Sequence, residues 1–107
     1  MPWVSLCTRD ELTEGSGNYV EVDGFRLAVF LFEGNITVLD STCPHAGANL
    51  AHGFVENGCA ICPRHYWAFE LCTGQLRGMP GVAVSKYPTR ILDHNGKQLV
   101  QAELPAY

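Results

Sequence analysis

Apolar and polar residues alternate over short stretches of this chain, and no stretch keeps a helical period. Residues with β-branched or aromatic side chains concentrate in these stretches, as they do in strands. The pattern predicts strands at residues 4–7, 19–22, 25–32, 36–40, 55–56, 60–61, 67–71, 85–92 and 98–102. It also predicts a loop over residues 8–17 and one helical turn near residues 49–52. So many short strands indicate an all-β fold.

Turn-forming residues separate the predicted strands. Glu33-Gly34-Asn35 and Asn57-Gly58 are typical of tight hairpins, and the segment 93–96 predicts a last one. Length and pattern together favour a single domain over residues 1–107, with a β scaffold at 1–40 and 82–107. The middle, 41–81, differs because it holds four of the five cysteines and three of the four histidines. We expect it to be an inserted subdomain that carries the chemistry on loops.

Charge and hydropathy exclude several classes of function. The formal net charge is −4 and the seven Lys and Arg residues are scattered, so a nucleic-acid partner is not expected. No apolar run reaches the roughly 18 residues of a membrane span. The first ten residues lack the basic and apolar regions of a secretory signal, so we expect a cytoplasmic protein without a membrane partner.

The cysteines indicate metal binding rather than disulfides, because their number is odd and no secretory signal precedes them. Two short motifs each offer a thiol and an imidazole: Cys43-Pro44-His45 and, sixteen residues further on, Cys62-Pro63-Arg64-His65. A structural zinc site is an alternative, because Cys59 and Cys62 have zinc-like spacing. Otherwise Cys7, Cys59 and Cys72 are predicted to be small buried apolar residues.

The two motifs resemble the Rieske family, whose pattern is Cys-x-His followed, after a similar interval, by Cys-x-x-His. The resemblance implies a Rieske-like fold of stacked small antiparallel sheets that holds one [2Fe–2S] cluster. By the same resemblance, Cys43 and Cys62 would bind one iron, and His45 and His65 the other, with 41–81 as the cluster-binding subdomain. Further matches are the run of Gly47, Leu50 and Gly53, the segments Trp67–Phe69 and 73–74, and a loop at 79–81 that would cover the cluster.

The chain departs from the Rieske proteins of cytochrome bc complexes at four positions. Ala48 and Arg64 stand where those proteins have two further cysteines, so their loop disulfide cannot form here. Trp67 and Phe69 stand where those proteins have a serine and a tyrosine whose hydroxyls donate to the cluster. With fewer hydrogen-bond donors the reduced cluster is stabilised less. The resemblance therefore implies a reduction potential at the low end of the Rieske range, about −150 mV.

The resemblance implies a ferredoxin that carries single electrons from a flavin-containing, NAD(P)H-linked ferredoxin reductase to a terminal oxygenase, and that is a monomer when free. An alternative is the small subunit of an assimilatory NAD(P)H nitrite reductase, bound to its large subunit; the segments 59–63 and 86–90 resemble that branch. A zinc-bound or metal-free binding module on the same fold is a second alternative. The chain is too short for a mononuclear iron domain, so we do not expect an enzyme by itself.

Overall fold

A computed structural model describes residues 3–43, 47–64, 66–79 and 81–105. These residues form ten strands: β1 Trp3–Thr8, β2 Gly17–Val22, β3 Phe25–Phe32, β4 Asn35–Asp40, β5 Phe54–Glu56, β6 Cys59–Ile61, β7 Ala68–Glu70, β8 Lys86–Tyr87, β9 Thr89–His94 and β10 Lys97–Glu103. Two short 3-10 helices, Arg9–Glu11 and Leu50–His52, complete the regular structure of the described residues. None of the helices in this part of the chain has the length and hydrophobicity to span a membrane.

The strands form three small antiparallel sheets, which confirms the predicted all-β fold. The first sheet has the order β1-β10-β9 and the second β2-β3-β4-β8. The third, β5-β6-β7, comes from the middle of the chain, between β4 and β8. Its strands are short, and the two predicted ligand motifs lie on either side of β5 and β6 in the sequence.

The strand β3 forms the centre of the molecule because both of its faces are covered. Leu27, Val29 and Leu31 lie in one buried cluster with Val100 and Ala102 of β10. Its alternate residues Ala28 and Phe30 lie in a second buried cluster, which includes residues of β6 and β7. Burial on both faces explains why this strand has a continuous apolar run instead of an alternating one. The strand β3 therefore packs against the third sheet through Ala28 and Phe30.

Four two-residue turns connect neighbouring antiparallel strands. Each places a non-glycine residue and then a glycine at positive φ: 23–24, 33–34, 57–58 and 95–96. Positive φ at both central residues is the mark of the type I′ turn, whose twist matches that of the strands. The hairpins predicted at 33–35 and 57–58 are confirmed, but the first turn contains only Glu33 and Gly34 because Asn35 already belongs to β4. The last turn is confined to Asn95-Gly96 because β9 continues to His94.

One predicted strand, 85–92, is wrong in the structure because two strands occupy it. Tyr87 pairs with Val38 in the second sheet, whereas Thr89 pairs with Ala102 in the first sheet. Pro88 separates them, and proline has no N–H with which to continue a ladder. The chain therefore passes from one sheet to another at Pro88.

Two smaller expectations also change. The strand predicted at 67–71 is only Ala68–Glu70, and the loop predicted at 8–17 contains the 3-10 helix Arg9–Glu11. The helical turn predicted near residues 49–52 is confirmed as Leu50–His52, where the Asn49 side chain accepts a hydrogen bond from the Ala51 N–H (3.0 Å). The division into a scaffold and a subdomain at 41–81 stays a prediction.

Candidate functional site

The two predicted ligand motifs begin in loops with the same hydrogen-bond frame. In the first loop, the Cys43 N–H donates to the Ala48 carbonyl (2.9 Å) and the Gly47 N–H donates to the Cys43 carbonyl (2.8 Å). In the second loop, the Cys62 N–H donates to the Trp67 carbonyl (2.8 Å), and the Tyr66 N–H donates to the Cys62 carbonyl (2.9 Å). In each loop the cysteine therefore bonds to the residues four and five positions after it.

The stems of the two loops also correspond. An antiparallel bridge joins Thr42 to Asn49 below the first loop. The pair Ile61 and Ala68, at the end of β6 and the start of β7, closes the second loop in the same way. Each cysteine follows the first residue of its stem, so both thiols start from the base of a closed loop.

The fourth residue after each cysteine has a left-handed backbone. Gly47 has φ 67° and Tyr66 has φ 60°. This conformation suits glycine, but it brings the Cβ of other residues against the backbone at a cost of about 1–2 kcal/mol. The other non-glycine residues of the described chain with positive φ, such as Asn57 and Asn95, are first residues of two-residue turns. Tyr66 is therefore exceptional, and sequence reasoning missed it, although its position matches that of Gly47.

The structure brings Cys43 and Cys62 together. Both side chains are almost completely buried, with exposures of 1% and 0%, and both belong to the buried cluster on one face of β3. Leu50 and Phe69 lie in the same cluster. Two thiols from two different loops therefore belong to one buried apolar cluster.

His45 and His65 lie outside the described residues, so their assignment as ligands stays a prediction. The residues around the thiols fit a [2Fe–2S] cluster, because two buried thiols and few competing polar groups are the environment in which such clusters bind. The two histidines fall within the same two loops by sequence. Among the described residues alone, no group of three His, Cys, Asp or Glu side chains could hold a metal ion.

Gly53 sets the distance between the two loops. A Cβ atom built on Gly53 would lie only 1.8 Å from the Ile61 carbonyl oxygen, directly before Cys62. Only glycine permits such an approach, which brings the segment after the first loop against the strand that leads to the second. The run of Gly47, Leu50 and Gly53 indicated this region, but the sequence alone did not show the contact between Gly53 and Ile61.

Cys59 does not share a site with Cys62. Residues 59–61 form the strand β6, and three residues of extended chain span roughly 10 Å. Ala60 and Cys62 lie in the buried cluster with Cys43, whereas Cys59 does not, because successive residues of a strand face opposite sides. The spacing that suggested a zinc pair therefore gives two thiols on opposite faces.

The three remaining cysteines have different environments. Cys59 is buried as predicted, and this burial raises the pKa of its thiol. The half-buried Cys7 has a pKa raised to about 11, first by burial and then by the nearby Glu11 carboxylate. The prediction that Cys72 is buried is wrong: it is exposed in the turn that follows β7.

A third loop lies beside the second ligand loop. The Leu76 N–H donates to the Val82 carbonyl (2.8 Å) and closes the loop, which carries Met79 with 51% of its surface exposed. A cleft of about 380 Å³ is lined by Tyr66, Trp67, Leu76 and Met79, together with Ala68 and Arg77. The loop thus adjoins the second ligand loop, whereas its expected position over the cluster stays a prediction; Pro80 lies outside the described residues.

Comparisons with known proteins agree with this geometry. Residues 2–88 match the family described as the Rieske [2Fe–2S] domain. The chain is 32% identical over 90 residues to the ferredoxin component of the naphthalene 1,2-dioxygenase/salicylate 5-hydroxylase systems of a Ralstonia species. That match covers 83% of this chain and 86% of the Ralstonia protein.

Two solved structures resemble the whole chain. One is a Mycobacterium tuberculosis protein assigned as the small subunit of an NADH-dependent nitrite reductase, with a TM-score of 0.85, 26% identity and coverage of 98% of this chain and 97% of that one. The other is a ferredoxin of Sphingomonas yanoikuyae B1, with a TM-score of 0.81, 25% identity and coverage of 97% and 100%. The likeness therefore extends over both terminal strands as well as the loops.

Proposed function

The chain belongs to the Rieske [2Fe–2S] family, and we propose that it is a ferredoxin that carries single electrons from an NAD(P)H-linked reductase to a terminal oxygenase. The observation that carries this proposal is the pair of equivalent loops that bury Cys43 and Cys62 in the same apolar cluster. The likeness to the ferredoxin component from Ralstonia supports it, since that protein serves dioxygenase and hydroxylase systems.

Cys43 and Cys62 would bind the cluster through their thiolates, and His45 and His65 would complete the ligand set. A [2Fe–2S] cluster held in this way takes up and releases one electron. The chain's own contribution is to fix the spacing of the two loops, through Gly53, and to keep water away from the thiols, through Leu50 and Phe69. Residues 41–81 would act as the cluster-binding subdomain on the scaffold of 1–40 and 82–107.

Because the thiols are buried, an electron would leave on the exposed side of the ligand loops, where Gly47, Arg64 and Tyr66 lie. The partners would be a flavin-containing ferredoxin reductase and an oxygenase. The chain would have no catalytic activity without them. Thiols without disulfide bonds among the described cysteines suit a reducing compartment, so the cytoplasm is the proposed location.

The nitrite reductase small subunit is a second candidate. It is favoured by the likeness to the Mycobacterium tuberculosis protein, whose TM-score of 0.85 exceeds the 0.81 of the Sphingomonas ferredoxin. The two candidates share the site and differ in the electron acceptor.

The test is to purify the chain without oxygen, and to measure iron, acid-labile sulfide, visible absorption and the EPR spectrum after dithionite reduction. We expect a red-brown protein with two irons and two sulfides per chain and a reduction potential of about −150 mV. NADH oxidation would then be followed with a ferredoxin reductase and, in turn, with a ring-hydroxylating oxygenase or a nitrite reductase large subunit. A colourless protein that contains zinc contradicts the proposal, and coupling only to nitrite reduction selects the second candidate.

A further inference from the structure

We propose that Tyr66, Met79 and Arg64 form a docking surface for an electron-accepting partner protein whose own face presents carboxylates around an apolar pocket. This inference rests on the proposed function and adds to it the chemistry of the partner. These three residues together are called the Tyr66 surface.

The conformation of Tyr66 is the first argument. The second ligand loop needs a residue at positive φ to form the N–H bond to the Cys62 carbonyl, and Gly47 shows that glycine makes the same bond in the first loop. Tyrosine adopts this conformation with strain. Its side chain is 70% exposed, so packing within the chain does little to offset the strain. A strained, exposed aromatic residue beside a ligand position indicates a role outside the folded chain itself.

The surroundings of Tyr66 are apolar and concave. Met79 is a second large exposed apolar residue that lines the cleft, together with the half-buried Trp67 and the buried Leu76. Aromatic residues and methionine are enriched in protein interfaces, where they insert into pockets of the partner. The cleft is therefore suited to a partner side chain, just as Tyr66 is suited to a partner pocket.

The charge around the cleft identifies the partner's chemistry. The described residues of the second ligand loop and of the third loop, 62–64, 66–67, 76–79 and 81–82, include two cations, Arg64 and Arg77, and none of the eleven carboxylates of the chain. Arg77 is partly neutralised, because its Nε lies 3.7 Å from Glu70 Oε2 and its Nη2 donates to the Asn57 carbonyl. Arg64 is exposed and makes no ion pair with any residue that the structure describes.

A cationic end on a chain of net charge −4 orients that end towards an acidic surface. A second copy of this chain is a poorer occupant, because a symmetric contact through the Tyr66 surface would bring the two Arg64 side chains together. An acidic partner face is therefore the complementary occupant.

The test compares four variants of the cluster-loaded protein: Tyr66→Gly, Tyr66→Phe, Arg64→Glu and, as a control, Tyr19→Phe. Tyr19 is an exposed tyrosine of β2 in the second sheet, remote in the sequence from the three loops. The measurements are kcat/KM for the oxygenase or nitrite reductase subunit that the chain reduces, its dependence on salt, the midpoint potential, and the denaturant midpoint of unfolding.

Tyr66→Gly is expected to lower kcat/KM about tenfold or more, as the loss of an interface anchor does, while the potential stays unchanged and the denaturant midpoint does not fall. Tyr19→Phe should match the wild type, and Tyr66→Phe, which keeps the aromatic ring, should lose much less kcat/KM than Tyr66→Gly. Arg64→Glu should lower kcat/KM and reverse the sign of its salt dependence, because the wild-type rate is expected to fall as salt screens the attraction.

Unchanged kcat/KM in Tyr66→Gly and Arg64→Glu would overturn the Tyr66 surface and leave the proposed function intact. A lower denaturant midpoint or a shifted potential in Tyr66→Gly would also overturn it, because it would show that Tyr66 supports the loop. If the loaded wild-type chain reduces neither acceptor, the proposed function fails, and the docking surface fails with it.

Discussion

The two ligand loops have the same backbone frame and differ in the residue that closes it. In each loop the residue four positions after the cysteine is left-handed, yet the first loop has Gly47 and the second has Tyr66. The frame is fixed by backbone hydrogen bonds and by the antiparallel stems, so a side chain at the closing position is not required for folding. The exchange of Gly47 for Tyr66 therefore indicates a role at the outer surface of the second loop. The shared backbone frame indicates that both loops hold the proposed cluster in the same way.

The largest effect is expected from removing one thiol from either loop. Cys43→Ser and Cys62→Ser should each lose the cluster completely, because equivalent loops contribute equally and a serine hydroxyl is a poor substitute for a thiolate. Iron and sulfide content and visible absorption measure the loss. Cys59→Ser is the matched control, since Cys59 is also buried, and it should retain the colour. If only one ligand-loop variant loses the cluster, the loops are not equivalent.

The next largest effect is expected where the loops approach each other. Gly53→Ala would place a Cβ against the Ile61 carbonyl oxygen, so the strand before Cys62 must shift. Overpacking of this kind costs about 3 kcal/mol in the free energy of unfolding. Chemical denaturation of the loaded protein measures it, and the cluster content should fall as well. Gly58→Ala is the control, because an added Cβ there has no neighbour within 4 Å. Gly58 has φ +75° whereas Gly53 has φ −86°, so Gly58→Ala should cost only about 1 kcal/mol for its conformation. An equally small loss in Gly53→Ala would show that the approach to Ile61 is not what limits position 53.

Substitutions at Gly47 and Tyr66, the residues that close the two frames, test directly whether the frames are equivalent. Gly47→Ala should lower the free energy of unfolding by about 1 kcal/mol, since no atom of the described residues lies within 4 Å of the added Cβ and the cost is conformational. Tyr66→Gly should raise it by about 0.5–1 kcal/mol, because relief of the left-handed strain exceeds the entropy cost of glycine. Denaturant titration of both variants gives the two signs. The same sign in both would show that the frames are not equivalent.

The smallest effect is expected for Cys7, whose thiol lies outside both ligand loops. Burial and Glu11 raise the pKa of Cys7 from 9.0 to about 11, so the folded chain holds this proton more tightly than the unfolded chain. The resulting contribution to stability is complete below about pH 9 and is lost as the pH rises through about 11. Cys7→Ala should therefore flatten the fall in stability between these values. An unchanged profile would show that other groups cause the fall.

The strands and hairpins could largely be predicted from the sequence, because each depends on a short local pattern of residues. The apolar run of β3 and the glycine turns after Glu33 and Asn57 lead directly to hairpins. The exchange of sheets at Pro88 was missed, although proline itself was visible, because residues on both of its sides have strand-like side chains. Pairing partners depend on the whole sheet and not on the segment.

The candidate site shows the same limit. The motif indicated Cys43 and Cys62, and the structure places both in one buried cluster. The sequence did not show that Cys59 faces away from Cys62, or that Gly53 contacts Ile61, because both depend on the strand conformation of β6 and its distance from the preceding helix. Cys72 was expected to be buried from its residue type alone, whereas its position in a turn decides its exposure.

The pairing of the first strand with the last has a consequence for biosynthesis. Trp3 of β1 pairs with Glu103 of β10, so the first sheet cannot form until nearly the whole chain has left the ribosome. The sheet β5-β6-β7 and both ligand loops end at Glu70 or earlier, and they are synthesised well before that closure. A nascent chain would therefore expose Cys43 and Cys62 to an iron–sulfur donor before β10 has been synthesised, and the first sheet would form after the centre is in place.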